Sequence, residues 1–122
     1  MVGLNDCNLI GNIVRDAELK TKMVGSVPTP CCTFAIAVNE KRRTKELITS
    51  YFEVTIWRDQ ATSLASWLKK GRLVHVSGSV RQNKYRTAEG LERVVMQVHD
   101  VRNVLLLDRK PHEETQDDDS PF

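Results

Sequence analysis

Ser50-Tyr51-Phe52-Glu53-Val54-Thr55-Ile56-Trp57 is the most informative stretch of the chain. Phe52, Val54 and Ile56 fall on one side of a strict alternation, and Tyr51, Glu53, Thr55 and Trp57 on the other. Period two is the mark of a strand with one face buried. The side away from the core carries two large aromatic rings, a costly surface for a strand to leave bare unless something stacks there.

Working outward, Cys32, Phe34, Ile36 and Val38 alternate with Thr33, Ala35, Ala37 and Asn39 and predict an earlier strand. A polar, basic loop over 40–49 joins the two. Leu4 to Asp16, with Leu9, Ile10, Ile13 and Val14, predicts a first strand interrupted near Gly11. After Trp57, Asp59 is a candidate N-cap for a short amphipathic helix. Leu64, Trp67 and Leu68 have i, i+3, i+4 spacing, Lys69 and Lys70 follow in the last turn, and Gly71 is the stop.

Alternation resumes at Leu73, with Val74, Val76, Gly78 and Val80 facing His75, Ser77, Ser79, Arg81, Asn83 and Tyr85. Thr87 to Gly90 predict a turn. The last strand runs from Arg93 to about Leu107, with Val94, Met96 and Val98 on one face and a bulge expected near Asp100, where the pattern blurs. Three strands, a helix and two long strands is the connectivity of the five-stranded OB barrel. The expected class is therefore all-β with one short helix: an OB-fold domain over 1–107, then a disordered acidic tail over 108–122.

Charge divides the chain in the same place. Residues 1–107 carry 16 Lys/Arg and 10 Asp/Glu, whereas residues 108–122 carry 2 and 6. The body is expected to attract polyanions and the tail to repel them. Lys41, Arg42, Arg43 and Lys45 in one loop, with Arg81, Lys84, Arg86 and Arg93 in the later hairpin, are candidate phosphate contacts. Tyr51, Trp57 and Tyr85 are candidate base-stacking platforms, because every base presents a π-face to an aromatic ring. The plainer alternative is that these rings pack under a loop or against a second subunit.

Little points to catalysis. Cys7, Cys31 and Cys32 lack metal-ligand spacing and are expected to be reduced structural thiols. His75 and His99 are expected to be surface or packed residues without a metal. There is no phosphate-cradling glycine loop, no Gly-x-Ser-x-Gly and no acidic metal cluster, so neither enzyme activity nor a cofactor is expected. No apolar run approaches the ~18 residues of a membrane span. The N-terminus has no leader pattern, which leads us to expect a soluble, cytoplasmic protein.

The chain closes on Asp117-Asp118-Asp119-Ser120-Pro121-Phe122. An aromatic ring and a carboxylate behind a cluster of aspartates have the chemistry of a docking peptide for a basic pocket with an apolar floor. A merely solvated end is the alternative.

Several segments together resemble the bacterial single-stranded DNA-binding protein family over nearly the whole chain. They are Asn8-Leu9-Ile10-Gly11-Asn12, Phe34-Ala35-Ile36-Ala37, Tyr51-Phe52-Glu53-Val54, Leu68-Lys69-Lys70-Gly71, Val76-Ser77-Gly78 and the Asp-Asp-Asp-x-Pro-Phe tip. The resemblance implies an OB fold, usually a homotetramer, that coats single strands at the bacterial nucleoid during replication, recombination and repair. By position in the motifs, Tyr51, Trp57 and Tyr85 match the stacking aromatics. Asp117, Asp118, Asp119, Pro121 and Phe122 match the tip that docks onto replication and repair proteins.

Two positions depart from the family pattern: Lys41 stands where many members carry an aromatic, and Ser120 where a branched apolar residue is common. The roughly fifteen residues after Leu107 span about 50 Å at full extension, a short tether. A paralogue specialised for replication restart or DNA uptake, an RNA-binding or protein-interaction OB module, and a nuclease on the same barrel remain alternatives. The last requires clustered metal-binding carboxylates on the barrel, a pattern not found over residues 1–107.

Overall fold

The computed structural model describes residues 1–108. The tip residues Asp117, Asp118, Asp119, Pro121 and Phe122 lie outside the described residues. Six strands form one closed sheet: β1 (Cys7–Ile13), β2 (Glu18–Val24), β3 (Val27–Lys41), β4 (Leu47–Trp57), β5 (Leu73–Arg86) and β6 (Glu92–Leu106). Helix α1 (Arg58–Leu64) and a 3₁₀ turn (Ala65–Trp67) separate β4 from β5. The order across the sheet is β1-β5-β6-β4-β3-β2, closed by a second pairing of β1 with β3. All ladders are antiparallel except β4 with β6.

The chain folds as an OB-type barrel, and the sixth strand is compatible with the expected five. Along β3, Ile13 of β1 pairs with Ile36 and Glu18 of β2 with Thr33. Between them Val14 N donates to Ala35 O and Ala17 N to Leu68 O. β1 and β2 are thus one bent strand whose corner is pinned to two elements. The corner is at Val14–Ala17 and not at Gly11, which lies mid-strand.

Gly11 has a different task. It pairs with Val74 of β5 while β3 passes close on the other side. A Cβ there would lie 2.5 Å from the carbonyl oxygen of Ala37. Gly78 repeats the device, with 2.7 Å to the His99 oxygen. It sits where the β5–β6 register slips between Ser77 and Ser79, opposite a bulge in β6 at which Asp100 adopts φ 50°. The bulge brings Val98, Val101 and Val104 to the core at intervals of three, where unbroken alternation would have turned one of them out.

The core is made largely by the predicted alternation. Cys32, Phe34, Ile36, Val54, Ile56, Val74, Val76 and Val98 are buried, joined by Ile13, Ala61 and Leu68. Each large aliphatic side chain buried in this way contributes about 1.5–3 kcal/mol. Burial pushes the Cys32 thiol pKa up, with the neighbouring Cys31 adding to the shift. That thiol therefore favours its neutral form, and the stability it lends is lost as pH rises past the ordinary thiol range.

Two elements differ from expectation. The β2–β3 hairpin, turning at Gly25 with φ 64°, was not legible because every residue of β2 is exposed. The helix begins at Arg58 with Trp57 as N-cap and no side-chain cap, so Asp59 lies in the first turn. It ends at Leu64, which leaves Lys69 and Lys70 beyond it. Asp16 accepts from the Lys70 amide at 2.8 Å.

At the far end Asp108 bonds the buried Arg72. Its Oδ1 accepts from Arg72 Nε at 2.8 Å and its Oδ2 from the Leu73 amide at 3.0 Å. The end of the barrel is therefore anchored one residue past the expected boundary at 107.

Gly11→Ala and Gly78→Ala are each expected to cost about 1–3 kcal/mol, because the added methyl meets backbone that cannot yield. Gly3→Ala, with open space around it, should leave the thermal midpoint unchanged. Calorimetric melting of the three variants checks both statements.

Candidate nucleic-acid interface

Along β4 the pleat sends Tyr51, Glu53, Thr55 and Trp57 outward. Tyr51 is 63% and Trp57 38% exposed, against 0% for Val54 and 1% for Ile56. Residues directly across a ladder share a face. Through the parallel contact Glu53 stands beside Gln97 of β6, and Gln97 stands beside Arg81 of β5. Farther along that ribbon Tyr85 faces Arg93 and is 47% exposed. All three aromatics predicted from the sequence therefore share one face of the sheet.

The same rule sorts the basic residues. Arg81 and Arg93 lie on the aromatic face. Lys84 and Arg86 pair with Val94 and Glu92 and point the opposite way, with Gln82 and Met96. The hairpin thus presents cations on both sides, and the structure does not gather its four basic residues around Tyr85.

Arg81 makes a 3.5 Å ion pair with Asp100 on the solvent-exposed surface, and Arg86 Nη1 donates to Gly90 O at 3.2 Å. Such exposed contacts are worth little and yield readily to a stronger anion.

The first basic loop is tighter than expected. β3 and β4 stay paired out to Lys41 and Leu47, so only residues 42–46 form the turn. Arg42 N donates to Glu46 O, Lys45 N donates to Arg42 O, and Lys45 takes φ 70°. Lys41, Arg42, Arg43, Thr44 and Glu46 line a shallow concavity of about 620 Å³. Lys45 is not part of that lining.

Between the aromatics runs a polar row with no counterpart among the predicted site residues. Gln97 Nε2 donates to Glu53 Oε1 at 2.6 Å, and His99 Nε2 lies 3.2 Å from Gln97 Oε1. The alternation already put Glu53 on the outer face. Its partner 44 positions along the chain had no sequence signal. His75 is likewise held by a side chain, 3.2 Å from Asn8 Oδ1. Among the described residues no group of His, Cys, Asp or Glu is arranged to hold a metal ion.

The model of the single-strand binding protein family matches residues 4–107. The chain belongs to that family. A Streptococcus agalactiae serotype III protein named single-stranded DNA-binding protein 1 is 34% identical over 97 residues, 78% of this chain and 58% of its own length. Single-stranded DNA-binding protein 3 of Streptococcus agalactiae serotype V is 32% identical over 114 residues, covering 92% of this chain and 80% of that protein.

Among solved structures, a Plasmodium falciparum SSB complex with ssDNA superposes with a TM-score of 0.68 at 22% identity, over 88% of this chain and 98% of that one. The small single-stranded DNA-binding protein of Streptomyces coelicolor gives 0.67 at 19% identity, over 86% and 95%. The chain spans about three fifths of the length of the first curated relatives it matches. Among the described residues, no helix of this family member is long and apolar enough to cross a membrane.

Trp67 is 39% exposed, as open as Trp57 at 38%. Acrylamide is expected to quench Trp57→Phe and Trp67→Phe proteins to about the same extent without DNA. A clear difference between the two Stern–Volmer slopes would contradict the placement of these rings.

Proposed function

We propose that this chain binds single-stranded DNA without sequence preference, by stacking bases on Tyr51, Trp57 and Tyr85 and drawing phosphates to the basic residues around them. The observation that carries this reading is the common face of the three exposed aromatics on a domain with excess positive charge. The names of the relatives support it. The action is reversible sequestration, with no bond made or broken, serving replication, recombination and repair.

Phosphate contact falls to Lys41, Arg42, Arg43 and Lys45 at one side of the face and to Arg81 and Arg93 on it. Lys84 and Arg86 reach a strand that turns over the edge of the ribbon. Partner recruitment through Asp117, Asp118, Asp119, Pro121 and Phe122 rests on the sequence of the tip.

A homotetramer gains support from a second surface. Ile10, His75 and Leu105 stand side by side on β1, β5 and β6, and Ile10, Leu105 and neighbouring Leu107 are roughly half exposed. An apolar stretch on a sheet face is what a second copy covers.

Fluorescence titration with an oligo(dT) at low and high salt tests the binding reading. Trp57→Ala and Tyr85→Ala should each weaken binding by about 1–3 kcal/mol. Lys84→Ala and Arg86→Ala should each flatten the log–log salt slope by about 0.7 for every phosphate left without its cation. A wild-type protein that ignores oligo(dT) at low salt overturns the reading. Light scattering should return four chain masses, and Ile10→Lys with Leu105→Lys should lower that value.

A further inference from the structure

One group on the aromatic face has the wrong sign for a polyanion site. Glu53 lies two residues from Tyr51 on the same side of β4, about 7 Å along the strand. A carboxylate beside a phosphate track repels what the rest of the site attracts. It is tolerable where a base edge, and not a phosphate, comes down on it.

The surroundings leave room for such an edge. Across the β3–β4 ladder Tyr51 faces Ala37 and Glu53 faces Ala35, so the floor beside ring and carboxylate is made of methyl groups. On the other flank Gln97 Nε2 donates to Glu53 Oε1, while Gln97 Oε1 faces His99 Nε2. The reverse amide orientation would set its oxygen against the carboxylate, so Glu53 and His99 together fix which end of Gln97 points where.

Each partner keeps capacity in hand. Among the described residues, neither Glu53 Oε2 nor the second Nε2–H of Gln97 finds a partner. A hydrogen-bond acceptor and a donor therefore stand side by side on the floor next to Tyr51.

We propose that Glu53 and Gln97 form a clasp for the Watson–Crick edge of a base stacked on Tyr51, and that every base can fill it. Each base carries a donor next to an acceptor on that edge: N6–H and N1 in adenine, N4–H and N3 in cytosine, N1–H and O6 in guanine, N3–H and O4 in thymine. Glu53 accepts from the first and Gln97 donates to the second. His99 is a positioning residue that holds the amide in the required orientation. The clasp adds hydrogen bonds to stacking without choosing a sequence, and it covers the edge that a complementary strand would need.

This inference rests on the single-stranded DNA reading, and its test separates the two. Oligo(dT) is compared with the same oligomer made from 3-methylthymidine, which keeps the π-face and the phosphates but has no N3–H. The wild type should bind the methylated strand about tenfold more weakly. Glu53→Ala should bind both strands alike, and Glu53→Met, close in size and without an acceptor oxygen, makes the same comparison if the first variant does not fold. Equal wild-type affinity for the two strands overturns the clasp and leaves DNA binding standing. A tenfold preference that survives in a folded Glu53→Ala or Glu53→Met protein also overturns it. Failure to bind either strand at low salt overturns the DNA reading itself and the clasp with it.

Discussion

The barrel depends on one strand serving two neighbours. β1 pairs with β5 along its length and meets β3 at its end, so near Gly11 three backbones converge more closely than a side chain allows. Gly78 permits the matching approach of β6. These contacts involve no hydrophobic gain of their own, yet without them the sheet stays open and its buried alternation has no enclosed space to fill.

Closure also makes the outer face continuous. β4 and β6 touch in a short parallel ladder of Phe52, Glu53 and Val54 with Met96, Gln97 and Val98. Inside, Val54 and Val98 are wholly buried; outside, Glu53 and Gln97 are hydrogen-bonded. This seam joins the strand bearing Tyr51 and Trp57 to the ribbon bearing Tyr85. Fold and candidate binding surface thus share one set of contacts, and a change that loosens the seam would disturb both.

The proposed binding surface combines effects of different range. Lys and Arg act through the ionic atmosphere and weaken as salt screens them. Stacking and hydrogen bonding to bases act only at contact and are far less sensitive to salt. Distributing the cations to the loop of 42–46 and to both sides of the ribbon leaves the middle of the face free for rings and the polar row. In the proposed reading, a strand is drawn in by charge and held by its bases.

Much of this was legible in the sequence because period-two burial is a local property. Phe34, Ile36, Val54 and Ile56 declared an inner face, and Tyr51, Trp57 and Tyr85 by the same parity an outer one. The bulge at Asp100 showed as a break in that parity. β2 did not show, since a strand exposed on both faces has no burial pattern to display, and the helix limits slipped because the N-cap is backbone alone. What the tertiary structure alone decided is which distant residues meet. The division of Lys84 and Arg86 from Arg81 and Arg93 follows from the pairing register once it is known. The Glu53–Gln97–His99 row and the Arg72–Asp108 clasp depend on closure and on a bulge that resets register. Alternation determines the face of each side chain along its own strand, but the neighbour across the sheet is set by how the chain returns, and no local pattern encodes that.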